Sequence, residues 1–455
     1  MCDHLSEIRE RGAELVVIGN GSLHFASTFR EDFSLESPLL VDPELRAYRA
    51  AGLRRGRLEI LSPRLPFHAV RAFLAGARQS EVQGDPWQLG GVFVIRPPGE
   101  LVYRYRSGEA GDHPPVDDVL AALDAGTAPI KEEPATSNLA RAAGALATPV
   151  LDALFPLSFG EPGFAIHSLG FDPGDLDVDL SSRRVVITGA TSGLGFEAAL
   201  ALADLGAELD LVCRDDARGQ EVARRIRETT GNERVRVVIA DVSEMSSIRD
   251  SISVLGARPI DALIHNAGLL PATREETRDD LELAFATHVA GPFLLTKLLR
   301  PALAAAGRAR VVWVSSGGMY TTRLNLADCA WTQRPYDGVV AYAETKRAQV
   351  ILAEMWAEEL AGDGVVVNSM HPGWADTPGV QTSIPRFREW TRTILRTPAQ
   401  GADSIVWLAA SEAAAQFTGK FVFDRTVRRT HWLPTTRETQ AERAQLWKLC
   451  NSMGG

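Results

Sequence analysis

Between Arg184 and Phe423 short apolar runs alternate with longer stretches in which apolar residues recur every three or four positions. The first pattern suits strands buried on both faces, the second amphipathic helices that cover a sheet. The strand candidates are VVITG, LDLVC, VRVVIAD, DALIHNAG, RVVWVSS, VVVNSM and KFVFD, seven runs with helical stretches between most of them. That alternation predicts an α/β fold, a doubly wound parallel sheet with right-handed crossovers. No internal repeat stands out.

Upstream the pattern is finer. LVVIG (Leu15–Gly19) reads as a strand and Phe25–Phe33 as a helix; PLLVD (Pro38–Asp42) is a second strand, and Pro43 opens a second helix that ends near Gly52. GGVFVIRPPGELVYRYRS reads as a hairpin turning at Pro97, Pro98 and Gly99, and VDDVLAALDAG as a closing helix with Gly126 past its end. These elements predict a small α/β domain over residues 1–125. The composition then shifts. GTAPIKEEPATS and FGEPGFAIHSLGFDPGD are rich in breakers, so 126–181 is expected to be a linker, with Asn138–Phe155 as a docking helix interrupted at Pro149. The second domain is expected over 182–455.

The 455 residues, 45% apolar and 23% charged, place the chain among soluble globular proteins of two domains. No run approaches the ~18 apolar residues of a membrane span, and the start MCDHLSEIRERG lacks the apolar core of a secretory signal, so a cytoplasmic protein is expected. Cys2, Cys213, Cys329 and Cys450 form no CxxC pair and have no metal-ligand spacing, which excludes a disulfide scaffold and predicts no metal site. With 48 basic and 58 acidic side chains the net charge is −10, which gives no general attraction to nucleic acid or anionic membrane.

RVVITGATSGLG runs a strand straight into a glycine-rich turn and then a helix. Gly189, Gly193 and Gly195, with Thr191, Ser192 and Leu194 between them, would let the backbone approach a pyrophosphate, whose charge suits a helix N-terminus. At the tip of LVCRD stands Arg214, which can offer a charge-assisted fork to an adenosine 2′-phosphate and so favours NADP(H) over NAD(H). Asp241, followed by Val242, would accept a hydrogen bond from adenine or else cap the next helix. Tyr342 and Lys346 lie four apart on a predicted helix, hence on one face, where an ammonium would favour the phenolate. A YxxxK spacing is also common on solvated helix faces. Ser316, at the end of a neighbouring strand, could hold a carbonyl oxygen.

Taken in order, TGATSGLG, HNAG (His265–Gly268), VSS and YAETK resemble the short-chain dehydrogenase/reductase family over about Leu180 to Arg425, and the flanking segments are similar to its subgroup named dehydrogenase/reductase member 12. The resemblance implies a Rossmann domain with Ser316 orienting the carbonyl, Tyr342 as proton donor or acceptor, and Lys346 as phenol activator and nicotinamide-ribose ligand. It places Asn266, Ala267 and Gly268 beside the cofactor, with His265 in place of a first Asn. Pro372 and Gly373 match the segment lining the nicotinamide, and Thr377 a carboxamide contact. In FATHVAGPFLLT, His288 stands where the family has an Asn that positions a proton-relay water, so altered proton transfer is expected.

The segment from about Leu5 to Leu123 resembles the peroxiredoxin-like proteins of the alkyl hydroperoxide reductase/thiol-specific antioxidant group, which implies a thioredoxin-like fold. That family opens with an extra strand and a CxxC loop; Cys2 is the one thiol here, and an inert remnant is expected. The expected function is therefore NADP(H)-dependent interconversion of a carbonyl and an alcohol. The alternatives are a non-catalytic NADP(H)-binding regulator and a thiol antioxidant. Trp374, Ile384, Phe387, Trp390 and Ile394 after Gly373 fit an apolar carbonyl substrate, or equally packing or an oligomer contact. Family resemblance implies a homo-oligomer. His371 and Cys329 are assigned to structure.

Overall fold

A computed structural model describes residues 4–20, 30, 37–42, 45, 47–48, 51, 53, 90–97, 100–107, 114–124, 158–383, 389, 391 and 394–453. The chain divides into two units, Met1–Asn138 and Leu139–Gly455.

In the first unit a short helix α1 (Leu5–Glu10) precedes β1 (Val17–Gly19), which pairs in parallel with β2 (Leu39–Val41). The expected hairpin is present as antiparallel β3 (Gly91–Arg96) and β4 (Glu100–Arg106), with a register shift between Val94 and Ile95. Tyr103 of β4 packs with Val119 and Ala122 of α2 (Val116–Asp124), the expected closing helix. The helix expected over Phe25–Phe33 and the one after Pro43 lie largely outside the described residues, as do Cys2 and the docking helix expected over Asn138–Phe155.

Among the described residues the second unit opens with α3 (Glu161–Ser168) and then builds a sheet of β5 (Arg184–Thr188), β6 (Glu208–Cys213), β7 (Val235–Ile239), β8 (Ala262–His265), β9 (Arg310–Val314), β10 (Val366–His371), β11 (Lys420–Phe423) and β12 (Thr426–Arg428). In space the order is β12-β11-β10-β9-β8-β5-β6-β7, parallel except for β12. The interior strands are rich in apolar residues because both faces are covered: β5 and β9 are buried at every position. One face carries α4 (Gly193–Asp204), α5 (Asp216–Thr230) and α10 (Pro398–Ala410); the other carries α6 (Met245–Leu255), α7 (Gly291–Ala305), α8 (Gly338–Glu359) and the terminal α11 (Gln440–Met453). Between β10 and α10 lies α9 (Pro378–Ser383). Phe293, Trp356 and Trp447, with ring centroids 4.9–5.0 Å apart, fasten α11 to α7 and α8. Among the described residues no helix is long and apolar enough to cross a membrane, and no cluster of His, Cys, Asp and Glu is arranged to hold a metal ion.

Two expectations are corrected. The sheet has eight strands, not seven, because a two-residue turn at Asp424 and Arg425 adds the short antiparallel β12. And the Gly- and Pro-rich stretch expected to be linker is folded from Ser158 onward. There α3 docks its buried His167 against Asp424, Nδ1 to Oδ2 at 2.5 Å, and Phe159 inserts among His371, Trp374 and Phe423.

Arg396 completes this brace. Its guanidinium makes a bidentate pair with Asp424 (2.6 and 2.8 Å) and donates to the carbonyls of Gly160 (3.1 Å) and Ser158 (3.0 Å), all buried. Asp424 and Arg425 both adopt positive φ, 48° and 55°, where non-glycine residues are strained. Arg425 is held too: its N–H donates to Ser404 Oγ and its guanidinium pairs with Asp403.

Burial pushes the Asp424 carboxyl up, but the Arg396 guanidinium and the His167 hydrogen bond outweigh it and hold the group at about 2, below its ordinary 3.8. The folded state therefore binds this proton less readily than the unfolded chain. The resulting stabilisation is complete above about pH 4 and is lost as pH falls toward 2. Asp424→Asn leaves Arg396 a buried uncompensated charge, and urea unfolding at pH 7 should show a loss of about 3–5 kcal/mol. The variant should also lack the corresponding part of the acid dependence between pH 4 and 2.

Candidate active site

The order of the sheet places a crevice where the connections leaving β5 and β8 diverge to opposite sides. The glycine turn lies there. Gly189 has φ 68°, and a Cβ on it would stand 2.7 Å from Ala267 Cα; a Cβ on Gly195 would stand 2.3 Å from Asn266 Nδ2 and 2.4 Å from the Gly189 oxygen. Only hydrogen fits at either position.

The two loops are fastened to one another. Asn266 Nδ2 donates to the carbonyls of Thr188 and Gly189, both at 3.0 Å, and Thr188 Oγ1 accepts from the amides of Asn266 and Ala267, both at 3.1 Å. The Asn266 side chain thus braces the glycine turn. Ser192, with Thr191 before it and Leu194 two residues on, caps α4 without a side-chain bond, so the first amides of that helix have no side-chain partner at the crevice. Across the turn, Thr377 lies 3.3 Å from where a Gly193 Cβ would be, which brings the loop from Pro372 to Thr377 against the glycines. Gly373, with φ 76°, lies directly beneath the Arg396 guanidinium.

At the tip of β6 Arg214 is exposed, and the Asp215 carboxylate caps α5 by accepting from the Arg218 amide at 3.0 Å. At the tip of β7 Asp241 Oδ1 accepts from the amide (2.9 Å) and hydroxyl (2.7 Å) of Ser243, just beyond Val242. That is a local turn and not the expected helix cap, since α6 starts after Glu244, and it uses one of the two carboxylate oxygens. Arg214, Asp241 and Val242 stand on the β6 and β7 side of the glycine turn, while Ser316, Tyr342 and Lys346 stand on the β9 side.

Ser316 follows β9 and faces the Tyr342 phenol closely enough to oppose its upward shift; its oxygen accepts from the Gly318 amide at 3.3 Å. Asp337 starts α8 by accepting from the amides of Val339 and Val340, and α8 carries Tyr342 and Lys346 on one face, with Nζ 5.4 Å from the phenol ring centroid. Lys346 is 3% exposed and donates to the Val314 carbonyl (2.9 Å) and Gln349 Oε1 (3.0 Å). Burial outweighs any lowering of the phenol by the adjacent ammonium. Desolvation pushes Tyr342 up against the opposing Ser316 bond, and burial alone takes Lys346 down to about 7.

His288 is fully buried in a π-helical turn, Ala286–Ala290, just before α7. Its Nε2 accepts from the Leu269 amide at 3.1 Å, so the ring proton resides on Nδ1, which faces Thr345 Oγ1 at 2.8 Å; that hydroxyl donates in turn to the Tyr342 carbonyl at 2.8 Å. Burial, with the Lys346 charge second, holds His288 well below its ordinary range, so the ring is neutral. Both nitrogens are engaged, which leaves neither for the water that the resemblance implies. His265 is likewise buried and neutral, its Nε2 donating to Thr296 Oγ1 at 2.7 Å; burial takes it down to about 3. His371 accepts from the Gly317 amide at 3.0 Å and stacks on Phe423, a structural role as expected. Ile384, Phe387 and Trp390 lie outside the described residues.

Sequence reading did not single out Thr345, Gln349 or Arg396. For Gln349 a signal was present: Pro292, four residues after His288, has no N–H for the His288 carbonyl, and such a buried oxygen needs a donor from elsewhere.

Residues 183–386 match the family model for short chain dehydrogenases, and residues 2–109 the model for AhpC/TSA antioxidant enzymes. The chain is 38% identical over 298 residues to human dehydrogenase/reductase SDR family member 12, covering 65% of this chain and 93% of that protein. It is 32% identical over 282 residues to human retinol dehydrogenase 11, covering 61% of this chain and 87% of that one. A crystal structure of an uncharacterised protein from Mycobacterium paratuberculosis superposes with a TM-score of 0.50 at 27% identity, covering 61% of this chain and 95% of that one.

The packing at Gly195 is directly testable. Gly195→Ala forces a methyl group into Asn266 and the Gly189 carbonyl, and urea unfolding should register a loss of about 1–3 kcal/mol.

Proposed function

Because the chain belongs to the short-chain dehydrogenase/reductase family, we propose that residues 182–455 interconvert a carbonyl compound and an alcohol with NADP(H), through Ser316, Tyr342 and Lys346. The observation that carries this reading is Lys346 Nζ 5.4 Å from the Tyr342 ring on one helix face, with Gly268 of the loop that braces the glycine turn packed against that lysine.

A nicotinamide dinucleotide fits the residues that line the crevice. Gly189, Gly193 and Gly195 keep the backbone bare, the first amides of α4 suit a pyrophosphate, and Arg214 suits a 2′-phosphate. Asp215, turned into the α5 cap, does not set a carboxylate against that phosphate. When bound, the cofactor supplies or accepts the hydride. The chain's own groups handle the oxygen and its proton. The Ser316 hydroxyl orients the carbonyl, and the Tyr342 O–H, held up in pKa and so protonated at neutral pH, donates to the oxygen that becomes the alcohol. His288 and Thr345 act as positioning residues, since their bonds end on the backbone of Tyr342.

An apolar carbonyl substrate is supported by Phe159 and Trp374 beside the Pro372 turn and by the likeness to a protein named retinol dehydrogenase. The first unit is assigned no redox step. Cys2 is its one thiol, and a reactive thiolate needs an electropositive pocket built around it.

With NADPH and a panel of aliphatic and aromatic aldehydes, Tyr342→Phe should lower turnover by about 10²–10⁴-fold while NADPH still binds in a fluorescence titration. Turnover equal to wild type would sink the assignment. Arg214→Ala should weaken NADPH about tenfold or more and leave NADH binding unchanged. Equal losses for both nucleotides would remove Arg214 from the phosphate site.

A further inference from the structure

We propose that Gln349 is a positioning residue for the reaction, holding the Lys346 ammonium in register with Tyr342 through a bridge to the backbone carbonyl of His288. This rests on the reading that Lys346 serves the chemistry.

The bridge follows from a gap in a helix. A helical carbonyl accepts from the amide four residues on, and for His288 that residue is Pro292, which has none. The backbone widens here, the Gly291 amide reaching back to the Ala286 oxygen, and the His288 carbonyl is left inside a buried region. An unpaired oxygen there costs about 1–3 kcal/mol. Gln349, fully buried on α8, answers it: Nε2 donates to the His288 oxygen at 2.9 Å. Its other end, Oε1, accepts from Lys346 Nζ at 3.0 Å.

The amide can stand only one way round. Reversed, its N–H would face the ammonium and its oxygen would face a carbonyl, so the His288 carbonyl dictates that an acceptor points at Lys346. Gln349 lies three residues beyond Lys346 and seven beyond Tyr342, on the same helical face. The groups facing Lys346 are the Val314 carbonyl from β9, the Tyr342 phenol on its own helix, the His288 imidazole from the π-helical turn, and Gln349. Among the described residues no carboxylate pairs with it. Two neutral oxygens therefore do the work of a counter-ion, and removal of one should alter both the placement and the protonation of the lysine.

The sequence holds five lysines, Lys131, Lys297, Lys346, Lys420 and Lys448, few enough that Lys346 can be followed by the ¹³C shift of its ε-carbon, assigned with Lys346→Arg. In the full-length protein, Gln349→Met should move the Lys346 titration down by about one pH unit, and Gln349→Glu should move it up by at least as much. The pH of half-maximal kcat should follow in the same directions, with KM for the aldehyde within about twofold. If either variant fails to fold by circular dichroism, the other decides. An unmoved Lys346 titration in a folded variant overturns the proposal. A wild-type protein that reduces no aldehyde overturns the oxidoreductase reading instead, and the lysine titration still decides the bridge.

Discussion

The reciprocal bonds between Thr188 and the Asn266–Ala267 backbone hold together the one place where this fold must come apart. Parallel strands whose crossovers leave in opposite directions open a crevice at their carboxyl ends, and β5 and β8 are that pair. Without a tie the glycine turn would be free to choose among many conformations. With the Asn266 amide closing on Thr188 and Gly189, the bare backbone of the turn is presented in one geometry. The rest of the site is built on strands whose positions relative to β5 are set by the sheet.

On the other side of the crevice, desolvation sets the charge states. It raises the Tyr342 phenol, takes Lys346 to about 7 and keeps His288 neutral. The direction is the same in each case: the uncharged form is favoured. Polar order is then supplied by neutral donors and acceptors arranged in a chain, Leu269 to His288 to Thr345 to the backbone of α8, with Gln349 making the second link. Each atom in that chain has its role dictated by its neighbour, which is how a buried polar network specifies one geometry.

Much of this was legible in the sequence where the signal is local. The β5 strand and its glycine turn are contiguous, and Tyr342 and Lys346 are one helical turn apart, so periodicity and spacing locate them without knowledge of the fold. The family motifs then place Ser316 beside them. Long-range relations were not legible. FGEPGFAIHSLG has the composition of a linker, yet Gly160 and His167 meet Arg396 and Asp424 more than 200 positions away, and no local pattern encodes that. The direction in which Tyr342 shifts was not legible for a related reason: adjacency to Lys346 follows from spacing, but the net sign depends on how much solvent the fold removes. His288 looked like a water ligand until the partners of both its nitrogens were known.

The bonds that join Ser158, Phe159, Gly160 and Glu161 to Trp374, Ile394 and Arg396 bear on where the dehydrogenase module starts. Counted by its sheet, the module opens at Arg184. Counted by what frames the site, it opens at least as early as Ser158, because both ends of the segment that follows the Pro372 turn are stitched to this stretch. A boundary drawn at the first strand would keep the bonds between the glycine turn and Asn266 and remove those that hold the segment after Pro372. Modularity in this chain is therefore asymmetric: the glycine turn is braced from within the sheet by Thr188 and Asn266, and the loop that follows Pro372 borrows its framework from residues that precede the first strand.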